Sequence, residues 1–338
     1  MSWTDQLKGD SVAWLLEQPS PDVRYCALRD LLDLTEDDPQ LEAAYEQAHA
    51  SGPIADLLDA MHPDGYWERP GPGYGPKYRS SVWSLITLAQ LGATIDMDKR
   101  IAAACAYHLE QAFLAGGQVS YNGAPSGTFD CLQGNMIASL MAMGVRDARL
   151  AQAYEWMART ITGEGMAPNT DKHASLRYYA YKCGPLFACG ANYGQPCGWG
   201  AGKVMLAFSQ LPAGERTPLV ERAIQAGTDF LFSIDLLTAA YPVGDGKKPS
   251  GNWWKFGFPV FYITDLLQIA EALVGLGYGN DARLAGLLDF IRGKQDADGR
   301  WPLEYHYNGK TWLEFGRKGQ PNPWVTLRAL RVLKSVKR

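Results

Sequence analysis

The chain has 338 residues, of which 46% are hydrophobic and 20% are charged, so it can bury a large core and is not intrinsically disordered. Its 36 acidic and 32 basic residues include no basic block, which excludes nucleic acid as the main partner. No run of about 18 apolar residues occurs. Residues 1–10 carry charges where a signal peptide would be apolar, so we expect a cytoplasmic protein without a transmembrane segment.

Helical periodicity dominates the chain. Apolar residues recur at three- and four-residue spacing, beginning with Val12, Leu15 and Leu16, and no convincing run of strand-like alternation is present. The pattern predicts helices over residues 11–16, 21–32, 77–91, 97–114, 128–143, 147–161, 199–211, 216–234, 258–276, 281–294 and 322–336.

One helical hairpin recurs. Apolar helices end at Gly92, Gly144, Pro212 and Gly277, and each is followed by a charged linker and a more polar helix. Such a pair is best accommodated by two concentric rings, with the apolar helices inside. We therefore predict an all-α fold, an (α/α) toroid over residues 51–338, with short HEAT-like helices over residues 1–50 packed on it. An open solenoid is the alternative, but the long, irregular insertions favour closure.

Two segments share a motif. Residues 61–67 read Met-His-Pro-Asp-Gly-Tyr-Trp, and residues 295–301 read Gln-Asp-Ala-Asp-Gly-Arg-Trp. The second is a full Gln-x-x-Asp-Gly-x-Trp and resembles the repeat of squalene and oxidosqualene cyclases and, more loosely, of protein prenyltransferase β subunits. With Trp253-Trp254 and Pro323-Trp324, the chain looks like the bacterial prenyltransferase/squalene oxidase repeat proteins. The resemblance covers about residues 50–338. It implies an (α/α) toroid in which the glutamine caps a neighbouring helix and the tryptophan stacks.

The chain departs from this family at the catalytic motif. Class II cyclases protonate their substrate with the middle aspartate of Asp-x-Asp-Asp, whereas the nearest strings here are Glu36-Asp37-Asp38 and Asp96-Met97-Asp98. Both are typical of helix caps or surface turns. The resemblance thus implies a cyclase, isomerase, lyase or transferase that lacks this motif.

The cysteines suggest a metal site. Cys183, Cys189 and Cys197 fall in one Gly-rich insertion, and Cys131 and Cys197 both fall at the start of an inner helix. Four thiolates at one rim would bind zinc, with an iron–sulfur cluster as the alternative. Asp130 would replace Cys183 as a ligand if that residue takes no part, and it is also a candidate catalytic carboxylate. Buried structural thiols are the other interpretation.

Asp265 lies in an otherwise apolar predicted inner helix. A carboxyl group that faces an apolar cavity has a raised pKa and can act as a general acid. The alternative is a carboxylate hydrogen-bonded near the helix start. Lys203 and Arg328 are the other charges on inner helices, and they either pair with Asp265 or bind an anionic group.

Aromatic residues concentrate at the starts of inner helices and in the loops before them. They are expected to line a hydrophobic pocket and stabilise cations, or alternatively to fill the mouth of the toroid. The candidate substrate-binding residues are Lys77, Tyr78, Trp83, Trp253, Trp254, Tyr262, Trp312 and Trp324.

These patterns predict a terpenoid cyclase or prenyltransferase-like enzyme. Its substrate would be a hydrophobic isoprenoid or aromatic small molecule, and its chemistry acid catalysis by Asp265 with a cysteine-bound metal at the rim. The alternative is a non-catalytic toroid that binds a lipid or peptide and has structural cysteines or structural zinc. Protein prenylation, a third hypothesis, would require a partner subunit, and the oligomeric state is open.

Overall fold

The computed structural model describes residues 2–174, 176–178, 182–244 and 247–336, and these residues are organised almost entirely as helices and loops. The α-helices within the described ranges are α1 (Ser11–Leu16), α2 (Pro21–Leu31), α3 (Pro39–Ala50), α4 (Pro53–Asp59), α5 (Ser81–Gln90), α6 (Lys99–Ala112), α7 (Asp130–Ala142), α8 (Ala148–Thr162), α9 (Gly198–Ser209), α10 (Pro218–Leu231), α11 (Leu266–Gly275), α12 (Ala285–Gly293) and α13 (Pro323–Ser335).

Six helices form a closed inner ring. Helix α7 packs between α5 and α9, α9 packs on α11, α11 on α13, and α13 on α2. The ring closes where the Cys26 thiol of α2 donates a hydrogen bond of 3.4 Å to the carbonyl oxygen of Leu91, just after α5. Helices α6, α8, α10 and α12 pack outside α5, α7, α9 and α11. The alternation confirms the predicted all-α toroid.

The structure differs from the prediction at several boundaries. Helix α4 was not predicted. Helix α2 belongs to the inner ring although it lies before residue 50. The proposed division of the chain at residue 50 stays a prediction. The helix expected over 258–276 begins only at Leu266, because Asp265 is its N-cap and accepts a 2.7 Å hydrogen bond from the backbone of Gln268. Asp38 and Asp98 are N-caps of α3 and α6, as expected.

The two motif tryptophans, Trp67 and Trp301, make equivalent contacts. Both are fully buried. The Trp67 indole donates to the carbonyl oxygen of Leu57 at 2.8 Å, and its backbone N–H donates to the Ser81 hydroxyl at 3.1 Å. The Trp301 indole donates to the carbonyl oxygen of Ile291 at 2.7 Å, and its backbone N–H to the Thr326 hydroxyl at 2.9 Å. Trp67 therefore fastens α4 to the first turn of α5, and Trp301 fastens α12 to the first turn of α13.

Glycines allow α7 and α9 to pack closely. A Cβ added to Gly134 of α7 would lie 2.4 Å from the carbonyl carbon of Lys203. A Cβ added to Gly200 of α9 would lie 3.0 Å from the Cβ of Asp130. On the other side of α9, a Cβ on Gly202 would lie 2.7 Å from Ile269. The first turns of α7 and α9 thus lie side by side. No helix in the described ranges has the length and apolar character needed to cross a membrane.

Candidate functional site

A cavity of about 620 Å³ opens at the end of the toroid where α7 and α9 begin. Its walls are mainly apolar and include eight aromatic residues, which suits an apolar ligand and the stabilisation of positive charge by ring faces. The aromatic lining residues include Tyr74, Phe129, Trp199, Tyr241, Trp253 and Tyr262. Of the residues predicted to bind substrate, Lys77, Trp253 and Tyr262 line this cavity.

Tyr78 and Trp83 form a second layer behind the cavity wall. The hydroxyl of Tyr78 lies 3.5 Å from that of Tyr262, and the Trp83 indole donates to the carbonyl oxygen of Tyr74 at 2.8 Å. The two rings also contact each other, with centroids 5.1 Å apart. These predicted residues therefore position lining residues and do not themselves line the cavity.

Three predicted tryptophans lie outside the cavity, contrary to expectation. Trp254 donates to the carbonyl oxygen of Leu237 at 2.8 Å. Trp324 is buried and stacks on Phe258 with ring centroids 4.9 Å apart. The ring of Trp312 lies 3.8 Å from the guanidinium of a neighbouring arginine on a partly exposed surface. Proximity in sequence to an inner helix did not place these side chains at the cavity.

Asp130 is the acidic residue in the wall of the cavity. It is the first residue of α7 and only 5% exposed. The thiol of Cys183 donates a 3.1 Å hydrogen bond to its Oδ1, whereas its buried Oδ2 has no partner in the described part of the chain. Burial raises the pKa of Asp130 to about 7, against the opposing effect of the hydrogen bond from Cys183. The carboxyl group can therefore hold a proton near neutral pH beside an apolar cavity.

Cys131, Cys189 and Cys197 also line the cavity. The Cys197 thiol interacts with those of Cys131 and Cys189, and the hydrogen bond with Cys131 raises the pKa of Cys197 to about 12. A hydrogen bond with Cys197 likewise raises the pKa of Cys189. Cys183 is fully buried, where desolvation raises its pKa well above the usual value. Cys183, Cys189 and Cys197 are therefore thiols near neutral pH, not thiolates.

The expected zinc site receives no support from this arrangement. Across the described residues, no group of three or more His, Cys, Asp or Glu side chains is arranged to hold a metal ion. The approach of Cys131, Cys189 and Cys197 at one rim is as expected, but their use as ligands for zinc or an iron–sulfur cluster stays a prediction.

The placement expected for Asp265 is wrong, because the carboxylate does not face an open apolar cavity. It forms a bidentate ion pair with Arg328, at 3.0 Å for each oxygen, and accepts a 3.3 Å hydrogen bond from the backbone of Gly257. Arg328 also binds Glu271 at 2.8 Å. The alternative considered from the sequence, a hydrogen-bonded carboxylate near a helix start that pairs with Arg328, describes the structure. Asp265 is therefore not carried forward as the proton donor.

Lys203 is fully buried between α9 and α11. Its ammonium group donates to the side chain of Gln268 and, at 3.3 Å, to the carbonyl oxygen of Ile263. Desolvation lowers the pKa of Lys203 to about 7. The lysine links two inner helices and does not line the cavity.

Three rim residues were missed from the sequence. Lys182, Lys247 and Lys248 join Lys77 in lining the cavity, and all four are exposed. Lys182 lies directly before Cys183, and the other two lie in the long loop between α10 and α11, in segments whose course no periodic pattern reveals. The sequence signal was the occurrence of lysines in segments that also contain Gly, Pro and aromatic residues.

A second cavity, of about 310 Å³, lies at the opposite end of the inner ring. Its charged residues are engaged with one another or with nearby groups. Arg328 binds Glu271, and Arg331 donates to Asp30 at 2.7 Å. The aromatic cavity, with its unpartnered carboxyl oxygen, is therefore the better candidate site.

The chain matches no family model and no curated protein. It is similar to solved structures at low identity. A variant of the type II terpene cyclase MstE from Scytonema, in complex with its substrate geranylgeranyl dihydroxybenzoate, is 14% identical, with 84% of this chain and 95% of that chain covered and a TM-score of 0.34. The same cyclase without ligand is 14% identical, with 83% of this chain and 94% of that chain covered and a TM-score of 0.32. A protein from Actinoplanes is 12% identical, with 84% of this chain and 97% of that chain covered and a TM-score of 0.31. Because these TM-scores are low, the fold and the proposed function rest on the contacts within this chain.

Proposed function

We propose that the protein is a terpenoid-cyclase-type enzyme that binds a hydrophobic isoprenoid or prenylated small molecule in the aromatic cavity and begins its reaction with a proton from Asp130. The supporting observation is a buried carboxyl group in the wall of that cavity, one oxygen of which has no hydrogen-bond partner among the residues that the structure describes. A carboxylic acid kept neutral by burial is suited to give a proton to a weak base such as an alkene.

The proposed reaction is an isomerisation. The proton of Asp130 adds to one carbon of an alkene and leaves a carbocation on the other carbon. A second alkene of the same molecule attacks this cation and closes a ring, and a carbon next to the final cation loses a proton to the carboxylate or to water. The product has the composition of the substrate, and Asp130 ends protonated once the proton returns.

The aromatic walls supply the electrostatic part of this proposal. Trp199, Trp253 and Tyr262 line the cavity, and the face of such a ring attracts a cation with about 0.5–2 kcal/mol. An apolar lining also excludes water, which would otherwise capture the carbocation as an alcohol.

The test is product formation by the purified protein. Geranylgeranyl diphosphate, squalene and geranylgeranyl dihydroxybenzoate would be incubated separately, and isomers of each would be sought by mass spectrometry. We expect isomer formation from at least one of them by the wild type and none above background by Asp130→Asn.

The matched control is Asp22→Asn. Asp22 in α2 is also buried, burial raises its pKa to about 7, and its Oδ1 has no described partner, but it does not line the aromatic cavity. We expect this variant to retain turnover. Full activity in Asp130→Asn would overturn the proposal. Tight binding of a prenylated compound without any isomer formation by the wild type would favour the non-catalytic alternative instead.

A further inference from the structure

The mouth of the aromatic cavity carries an excess of positive charge. Lys77, Lys182, Lys247 and Lys248 come from three separate segments of the chain and converge on one opening. Asp130 also lines this cavity, but its pKa, raised to about 7, leaves it only about half ionised at neutral pH and mostly neutral below that. The lining charge is thus positive on balance.

These lysines are not neutralised by carboxylates. Within the part of the chain that the structure describes, the lysine ion pairs are Lys294 with Glu304 and Lys334 with Asp33, and neither involves the cavity. Arg79, by contrast, follows Lys77 closely in sequence but is engaged by Glu68 at 2.9 Å. The four rim lysines therefore bring positive charge to the opening without a carboxylate partner in the described ion pairs.

Aromatic residues contact three of the lysines at the opening: Lys77, Lys247, and Lys182, whose ammonium lies 5.9 Å from the ring centroid of Phe129. The ammonium of Lys77 lies 4.7 Å from the ring centroid of Tyr262 and 5.2 Å from that of Tyr74. Lys247 donates a 3.2 Å hydrogen bond to the hydroxyl of Tyr193. These contacts direct positive charge to the border between the apolar wall and solvent, and they leave each ammonium with further protons to donate.

We infer that the ligand of this cavity is an amphipathic anion, whose oxyanion headgroup is bound by the four rim lysines while its hydrocarbon part occupies the aromatic interior. The inference rests on the proposed function in taking this cavity as the substrate site. The shared chemistry is an oxyanion on a hydrocarbon chain, either a phosphate ester or a carboxylate. Lysine ammonium groups recognise both as charges without a fixed fork geometry.

The test compares ligands that share one chain and differ in the headgroup. Farnesyl diphosphate, farnesoic acid and farnesol would be titrated into the full-length Asp130→Asn variant, so that no turnover disturbs the binding curves. We expect at least one anion to bind about tenfold or more tightly than farnesol. We also expect that preference to shrink as the salt concentration rises. The stronger of the two anions identifies the headgroup.

Charge-removing variants locate the effect. Replacing Lys77, Lys182, Lys247 and Lys248 together by Met should weaken binding of the preferred anion about 30-fold or more and change farnesol binding less than about twofold. The matched control replaces four exposed lysines outside the cavity, Lys99, Lys172, Lys310 and Lys318, by Met and removes the same net charge. The control should bind like the parent.

Two results would overturn the inference: equal affinity for farnesol and both anions, or an equal loss in the rim and control variants. Either would leave the proposed function intact if the wild type still isomerises a neutral isoprenoid such as squalene. Conversely, selective anion binding that depends on the rim lysines, without isomer formation from any substrate, would support the inference and sink the proposed function.

Discussion

The thiol of Cys183 donates a 3.1 Å hydrogen bond to Oδ1 of Asp130, while Oδ2 of the same carboxyl group has no partner among the described residues. The thiol fixes one oxygen, and the other is a buried oxygen without a described partner on a residue that lines the cavity. Both residues are deeply buried, so the pKa of Asp130 reflects two opposed effects: desolvation raises it and the hydrogen bond lowers it.

This pair predicts a specific pH profile. Proton donation requires the protonated carboxyl, which predominates below its pKa of about 7, so turnover should fall with pH above about 7, by up to tenfold per unit. Cys183→Ala removes a hydrogen bond that favours the charged form, and the alkaline limb should therefore move to higher pH. Rate measurements between pH 5 and pH 9 check both. A limb that does not move in Cys183→Ala would show that the thiol does not tune this carboxyl group.

Close packing of α7 on α9 should be needed for the site. A methyl group at Gly134 would meet the backbone of Lys203, which cannot move without separating the two helices. We expect Gly134→Ala to lower the free energy of unfolding by about 1–3 kcal/mol and to reduce turnover. In the control Gly293→Ala the added methyl group meets nothing within 4 Å, and stability should hold or rise by up to about 1 kcal/mol. Urea denaturation measures both, and equal effects would contradict the packing argument.

The ion pair between Arg328 and Asp265 should be structural. Removing the arginine leaves buried carboxylates unpaired, so Arg328→Met is expected to cost about 3–5 kcal/mol of unfolding free energy. The double variant with Asp265→Asn should lose less than the sum of the single variants, because the two groups interact directly. Additive losses in denaturation experiments would argue against this coupling.

The two motif tryptophans should contribute similarly to stability. In Trp67→Phe and Trp301→Phe, the carbonyl oxygens of Leu57 and Ile291 each lose the indole donor, which should cost about 1–3 kcal/mol in each variant. The oxygen of Ile291 retains a 3.2 Å hydrogen bond from the backbone N–H of Lys294, so the cost at Trp301 should not exceed that at Trp67. Trp312→Phe also removes an indole hydrogen bond, but at an exposed position where water can replace it, so its cost should be smaller. Thermal or urea unfolding compares the three. If Trp312→Phe lowered the free energy of unfolding as much as the two motif variants, the buried indole hydrogen bonds of Trp67 and Trp301 would have no special role in joining helices.

Periodic patterns predicted the toroid because four of the inner helices are largely apolar and each of these is followed by an outer partner. Cys131 and Cys197 were predicted to lie at the starts of inner helices, and in the structure both line the same cavity. The motif tryptophans join pairs of helices through their indole hydrogen bonds. Asp265 was misplaced because its surroundings depend on an arginine 63 residues away and on a helix start that a predominantly apolar run of sequence conceals. Lys182, Lys247 and Lys248 were missed because loop conformation is set by long-range contacts, which leave no periodic signal.

The central claim is that a proton from Asp130 starts the reaction, and turnover in D₂O tests it most directly. The account predicts that product formed in D₂O carries one deuterium on the carbon that was protonated, and that Asp130→Asn forms no product while Asp22→Asn behaves like the wild type. Isomer formation without deuterium incorporation, or with incorporation undiminished in Asp130→Asn, would contradict it.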